Sequence, residues 1–459
     1  MSGPRGVLPA GAAAVQGELL DAFDQHVPYH SHSVGQILLF LRMTLQSVLG
    51  FRGAASALEF VSAFFRTDEL AVSPNGGQMW LLRLGLYELL RTKEQADDWI
   101  WIVDHTIQVG KAKCFVVTGV RVAVLTAKRL DKNSTGALTH QDFSVWEIKL
   151  VEKSDGPTVE QQLTALSEKT GQVPRAVLSD CGADLSAGIS RYCAAHPQTI
   201  ALKDLPHFAA NAIKKELNDD PQWTAFLADA NRSKTQLRQT TFAFLLPPDL
   251  KTKARWMNLD PLISWSEKVV NFVNSPKPVP GVTWEDEELH EKMGWILGHR
   301  PSLQRWAEML AVVAASLKYI RKHGYHQHAH DELKEAMACL AMPPNSHAQR
   351  VANRILDYVE EQSRAIPEGE QLLATTEGLE SLLGKAKQLQ GQQSRSGFTK
   401  MILGIAASVA NLTSDAVITA LSAIKVRNVT EWLANELGTS VQAQRFHALH
   451  ASSNGTKAA

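Results

Sequence analysis

The run Trp99-Ile100-Trp101-Ile102-Val103 limits the folds open to this chain more than any other feature. Five consecutive apolar residues, three β-branched and two aromatic, read as a strand, and the run stops at Asp104-His105. Segments 114–120, 122–125 and 143–151 have the same texture and read as strands between polar, glycine-containing turns. Residues 159–170 form an amphipathic helical pattern, and 176–178 is a short buried strand closed by Ser179-Asp180-Cys181-Gly182. A helix over 185–195, a strand over 199–202 and a helix from about His207 to 217 complete the block. Strands leading into alternating helices and strands give an α/β layer architecture with a mixed sheet.

The flanks are helical. Ile37, Leu38, Leu41, Leu45 and Val48 recur at helical spacing, residues 54–65 repeat the pattern, and 79–90 resume it after Ser73-Pro74-Asn75-Gly76-Gly77. Three short helices joined by turns fit a helix-turn-helix unit and fit any small helical bundle equally well. From about 219 to 370 the strand signal vanishes, and Trp223, Trp256, Trp265, Trp284, Trp295 and Trp306 are spread among long helical stretches. The expected organisation is a flexible leader (1–30), a helical unit (31–95), the first part of the sheet domain (96–218), an all-helical insertion (219–370), the second part of the sheet domain with C-terminal helices (371–451) and a frayed tail (452–459).

Lys plus Arg equals Asp plus Glu at 47 each, so any nucleic-acid binding must come from local basic faces. The four cysteines (Cys114, Cys181, Cys193, Cys339) form no C-x-x-C pair, which argues against a disulfide scaffold or a cysteine zinc site. Cys181 reads as a small buried filler. No apolar run approaches ~18 residues, so no membrane span is expected, and the reading is soluble and cytoplasmic.

Asp104 in VDHT and Asp180 in LSDCGADL both sit at strand ends, from which carboxylates can converge on one sheet edge. Such a pair can hold Mg²⁺, and two ions about 4 Å apart could activate an attacking oxygen and stabilise a leaving one in phosphodiester chemistry. Each acid taken alone reads rather as a turn starter or helix cap. Asp204-Leu205-Pro206-His207 follows a strand and opens a helix, where Asp204 could cap and Pro206 suits the first turn. In TTEGLESLLGKAK, Leu379, Leu382, Leu383 and Ala386 give one apolar helix face, and Glu380 and Lys387 lie two turns apart on a similar side. A helix beside the sheet edge could deliver Glu380 to the two aspartates. The bland reading is a solvated charged face. His323, His326, His328 and His330 crowd into KHGYHQHAHDE, with i, i+4 spacing that could bind zinc, and read as a solvated helix junction.

Together these four elements resemble the Asp-Asp-Glu transposases of insertion sequences, in the branch with an all-helical insertion before the last acid. WIWIVDHTIQVGK is similar to that family's first strand and acid, AVLSDCGADL to its second, KDLPHF to the motif after its fifth strand, and GLESLLGKAK to its glutamate helix. The resemblance implies a ribonuclease-H-like catalytic fold and a metal site of Asp104, Asp180 and Glu380 with two Mg²⁺ (Mn²⁺ may substitute). It implies support from Asp204 and His207. Double-stranded DNA (terminal repeats and target) would be contacted by Arg42, Arg52, Arg83, Lys385, Lys387 and Lys400, within a homodimer or larger assembly in a bacterial nucleoid. Glu377, Glu308 and Glu431 remain alternatives for the third acid. The tryptophans could stack on displaced bases, although tryptophans at helix contacts are more often core. A DNA-binding relative without cleavage and a host nuclease of the same fold are the competing functions.

Overall fold

A computed structural model describes residues 21–47, 49–65, 71–131, 136–249, 255–391, 399–438 and 441–450. It divides into two compact units, one holding the described residues up to Ala201 and from Thr376 onward, the other Leu202–Thr375. The tail expected at 452–459 and the first 20 residues of the expected leader lie outside the described residues.

The first unit is built on a mixed five-stranded sheet of β1 (Trp99–Val109), β2 (Ala112–Arg121), β3 (Ser144–Val151), β4 (Ala176–Ser179) and β5 (Ile200–Lys203), ordered β3-β2-β1-β4-β5. β2 runs antiparallel to both β1 and β3, whereas β4 pairs parallel with β1, setting Trp101 opposite Val177 and Val103 opposite Ser179. Its helices, in chain order, are α1 (Val34–Leu45), α2 (Phe51–Phe65), α3 (Pro74–Leu90), α4 (Val122–Leu130), α5 (Gly156–Thr170) and α6 (Ala183–Ala195). The second unit holds α7 (Leu205–Leu217), α8 (Pro221–Leu237), α9 (Asp260–Asn274), α10 (Asp286–Met293), α11 (Trp295–Gly298), α12 (Arg300–His323), α13 (Ala329–Ala336) and α14 (His347–Ser363). The chain then returns to the first unit with α15 (Glu377–Gly391), α16 (Leu403–Ala407), α17 (Ser414–Ala423), α18 (Val426–Glu436) and α19 (Val441–His450).

The apolar texture of β1 follows from cover on both faces. Alternation turns Trp99, Trp101 and Val103 to one side, where they join Phe115, Val117, Trp146 and Val177 in a cluster with Val159, Leu163 and Leu166 of α5 and Leu185, Ile189 and Tyr192 of α6. A Cβ on Gly188 of α6 would lie 2.4 Å from the Val159 Cβ, so this helix pair crosses only because glycine stands there. Ile100, Ile102, Val116 and Leu178 point the other way and are just as buried, while α15 contacts β1 and α3 and α16 contact β3.

Four expectations change. Residues 122–125 are not a strand but the start of α4. Four residues with two valines cannot separate strand from helix, and the cap that starts α4 is non-local, since Asp98 accepts the Ala123 N–H at 2.9 Å through its carboxylate. The Ser73–Gly77 cluster is not a break, because the Ser73 side chain accepts from Gly76 N and Pro74 begins α3. Nor do the N-terminal helices stand apart from the sheet domain, because α3 packs on β3 and on α16 and α17. Trp80, Leu81, Leu82, Leu84, Leu86 and Leu89 bury it nearly all round. A helix without a polar face is a central strut, unavailable to lie in a DNA groove. A Cβ on Gly85 would sit 2.2 Å from the Leu403 carbonyl oxygen, so α3 and α16 touch backbone to backbone. Residues 21–30, expected to be loose, contain the fully buried Ala22 and Val27.

The helical unit centres on aromatic residues. Trp223 and Trp306 meet edge to face at 5.0 Å, and Trp256, Phe226 and Trp295 continue the cluster. Trp223 and Trp306 are thus core. His326 is not solvated: it is buried, with Nε2 2.9 Å from the Tyr319 hydroxyl, which donates to Glu332. Tyr325 ties the ends of the unit together, pairing with Leu372 through backbone bonds and donating its hydroxyl to the Lys203 carbonyl at 2.9 Å.

Candidate active site

The parallel pairing of β1 with β4 ends at Val103 and Ser179, and the next residues are Asp104 and Asp180. β1 continues past this point only as a hairpin with β2, distorted by a bulge between Thr106 and Gln108, with Ile107 at φ 45. At the carboxyl end of two neighbouring parallel strands a sheet leaves an open crevice. Here it is a pocket of about 230 Å³ lined by Asp104, Asp180, Asp184, His105, Lys113 and the bulge residues. Both Asp104 and Asp180 are half-buried. Asp104 Oδ1 accepts the His105 N–H at 2.6 Å, and Asp180 Oδ1 accepts the Gly182 N–H at 2.9 Å.

The same pocket also holds an ionic network that local sequence spacing does not announce. Lys113 Nζ of β2 lies 2.9 Å from Asp184 Oδ2, and the Ser154 hydroxyl donates to the same oxygen at 2.7 Å. Because a serine hydroxyl has one proton, Ser154 Oγ must accept from His105 Nε2, 3.0 Å away, so His105 carries its proton on Nε2. Burial holds the His105 imidazole below its ordinary pKa, against the opposing pull of Asp184. Burial also pushes the Asp184 carboxyl upward, but hydrogen bonds from Lys113, Ser154 and the Leu185 N–H and the Lys113 charge outweigh it and bring the pKa to about 2. Depression below the ordinary 3.8 means that the ionised carboxylate stabilises the folded state above that value and loses this contribution as pH falls through about 2. The gap in unfolding temperature between the protein and its Asp184→Asn variant is therefore expected to stay constant from neutral pH to about pH 4 and to close by about pH 2. A gap unchanged at that acid limit would show that Asp184 is not held ionised by this network.

Glu380 stands in the first turn of α15, half-buried, and accepts a hydrogen bond from Thr376 Oγ1 at 3.2 Å. Two contacts fix that turn against the segment before β3. A Cβ on Gly378 would fall 2.2 Å from the Phe143 ring, and His140 Nε2 lies 2.9 Å from Ser381 Oγ. α15 also touches β1. Glu380 is not among the residues lining the pocket, and among the described residues no group of three or more His, Cys, Asp or Glu is arranged to hold a metal ion. The structure therefore brings Asp104 and Asp180 together and leaves Glu380 on an adjacent helix of the same unit. Glu377 begins that helix, Glu431 is exposed on α18, and Glu308 lies in the helical unit, accepting from Gln304 at 3.1 Å.

Other expected site residues divide clearly. Arg83 is a correction. It is 7% exposed, and its guanidinium donates to the carbonyls of Leu421 and Ile424 at the end of α17 and, at 2.9 Å, to His30 Nε2. Arg42 likewise donates to the Leu412 carbonyl at 2.7 Å. A guanidinium spent on main-chain oxygens is a structural clamp. Arg52 and Lys387 are exposed, while Lys385 and Lys400 are half-buried. Asp204 is fully buried in the helical unit, where its carboxylate caps α7 through His207 N at 2.7 Å and meets His207 Nδ1 at 2.6 Å. Sequence reasoning missed Asp184 and Lys113, whose pairing joins a strand to a distant helix. No protein-family model matches the chain, and no curated protein matches it.

Proposed function

We propose that this chain is a metal-dependent DNA transposase of the Asp-Asp-Glu kind, cutting phosphodiesters at element ends and joining the freed ends to target DNA. The observation that carries the reading is the placement of Asp104 and Asp180 directly after the last paired residues of adjacent parallel strands, where both line one pocket. Support also comes from the strand order β3-β2-β1-β4-β5 with β2 antiparallel to its neighbours, the arrangement of a ribonuclease-H-like domain. The passage of the chain through a helical unit between Asp180 and Glu380 fits the same family.

The donor set fits Mg²⁺. Two half-buried carboxylates in an open pocket are what that ion takes from a protein when water and substrate phosphate supply its remaining ligands. Asp104 and Asp180 would hold it, and Glu380, the third acid of the resemblance, stands on α15 outside the pocket lining. When bound, the metal stabilises the charge that builds on phosphorus and its oxygens during in-line displacement. The chain's own residues do the rest. The His105 N–H fixes one Asp104 oxygen and the Gly182 N–H one Asp180 oxygen, so each carboxylate keeps a defined orientation. Ser154 holds the His105 ring against the Asp184 side of the pocket.

Purified protein incubated with Mg²⁺ or Mn²⁺ and DNA carrying the sequences that flank its gene tests the reading. Joined products are expected. Nicks without joining would reduce the function to that of a nuclease, and binding alone to that of a DNA-binding relative.

A further inference from the structure

Lys113 has no part in the metal reading, yet it is the one lysine among the residues lining the pocket with Asp104 and Asp180. Its position is built. It sits beside the bulge in β1, paired with Gln108, which aims its side chain across the strand ends toward α6. Among the described residues its ammonium hydrogen-bonds Asp184, and it is 27% exposed in an ion pair whose acid is 22% exposed. Asp184 does not depend on Lys113 alone, because the Ser154 hydroxyl and the Leu185 N–H, at 2.7 and 3.1 Å, also bond its carboxylate. The lysine can therefore exchange its carboxylate oxygen for another anionic oxygen without leaving Asp184 bare. An anion is what this pocket would receive if Asp104 and Asp180 carry divalent metal, since the phosphate must then lie within reach of the same wall.

We propose that Lys113 is a substrate-binding residue that contacts a DNA backbone phosphate at the reacting centre, and that Asp184 and Ser154 are positioning residues holding it ready. This rests on the reading of Asp104 and Asp180 as metal ligands for phosphodiester chemistry. The contact is charge-assisted and made to the backbone, so it contributes affinity and salt dependence without sequence preference.

The full chain is compared with its Lys113→Met and Lys113→Arg variants in two measurements. Duplex DNA affinity is followed by fluorescence anisotropy in Ca²⁺ across a range of salt concentrations, and nicking of supercoiled plasmid is followed in Mn²⁺. Lys113→Met is expected to weaken duplex binding about tenfold. It should also lower the slope of log affinity against log salt by about 0.9, the signature of one lost phosphate contact. Lys113→Arg should restore most of both. A residue that only supported the fold would change affinity through the folded fraction, leaving the slope in place. Nicking by the parent protein with an unchanged salt slope for Lys113→Met would overturn the lysine assignment alone. Absence of metal-dependent nicking by the parent protein would overturn the metal reading and this proposal with it. Should Lys113→Met fail to fold, Lys113→Gln supplies the second test. It keeps a polar side chain without the charge and should lower the salt slope by about 0.9, and an unchanged slope would again overturn the assignment.

Discussion

Replacing Asp104 or Asp180 by asparagine should abolish Mn²⁺-dependent strand cleavage, by at least about 10³-fold, without lowering the unfolding temperature. Asparagine preserves shape and one acceptor but removes the charge that holds a divalent cation, and losing that electrostatic stabilisation removes several kcal/mol from the transition state. Stability should hold or rise slightly. The two acids follow directly on paired residues of neighbouring parallel strands, and like charges brought together by folding repel. Cleavage assays on matched amounts of folded protein, with thermal melts beside them, separate the two effects. Activity within about tenfold of the parent in either variant would remove that aspartate from the chemistry.

Arg83→Met should have the opposite profile, a large loss of stability with no specific loss of DNA affinity. The variant keeps the apolar stem of the side chain but deletes the donors to Leu421 and Ile424, leaving buried carbonyls at the end of α17 unsatisfied. Hydrogen bonds from a charged donor to such groups are worth ~1.5–3 kcal/mol each, so a loss of about 3 kcal/mol is expected. In a unit as large as the one holding Arg83 that corresponds to roughly 5 °C in melting temperature. DNA affinity per folded molecule should be unchanged, and a salt slope reduced by about one would show instead that Arg83 reaches a phosphate.

The alternation of strand and helix over residues 99–217 is legible in the sequence where a strand is a short apolar run, but not where β1 runs on through residues 104–109 into its hairpin, nor at 122–125, which is helix. What pairs with what is not. The register that aligns Val103 with Ser179 joins residues 76 positions apart, and no local spacing encodes it. Asp184 is hidden for the same reason. In LSDCGADL it reads as an ordinary acid in the first turn of a helix, while its partner Lys113 lies 71 positions earlier on a strand. α4 is unreadable on a related ground, its cap being Asp98, 25 residues upstream. The burial of α3, by contrast, is open to reading. LLRLGLYELL is apolar on nearly every side, and that pattern alone argues against a surface recognition helix.

The contact of Gly85 with the Leu403 carbonyl has a consequence for how the protein is made. During translation α3 emerges more than 300 residues before the backbone it must lie against. The 174 intervening residues of the second unit are contiguous, and at ordinary ribosome speeds they take about 10–35 s to synthesise. The helical unit can complete itself in that interval, while the nascent sheet carries an uncovered apolar helix. Chaperone capture is thus expected to act on the earlier-made segment that carries α3, because its partners leave the ribosome only after the whole second unit.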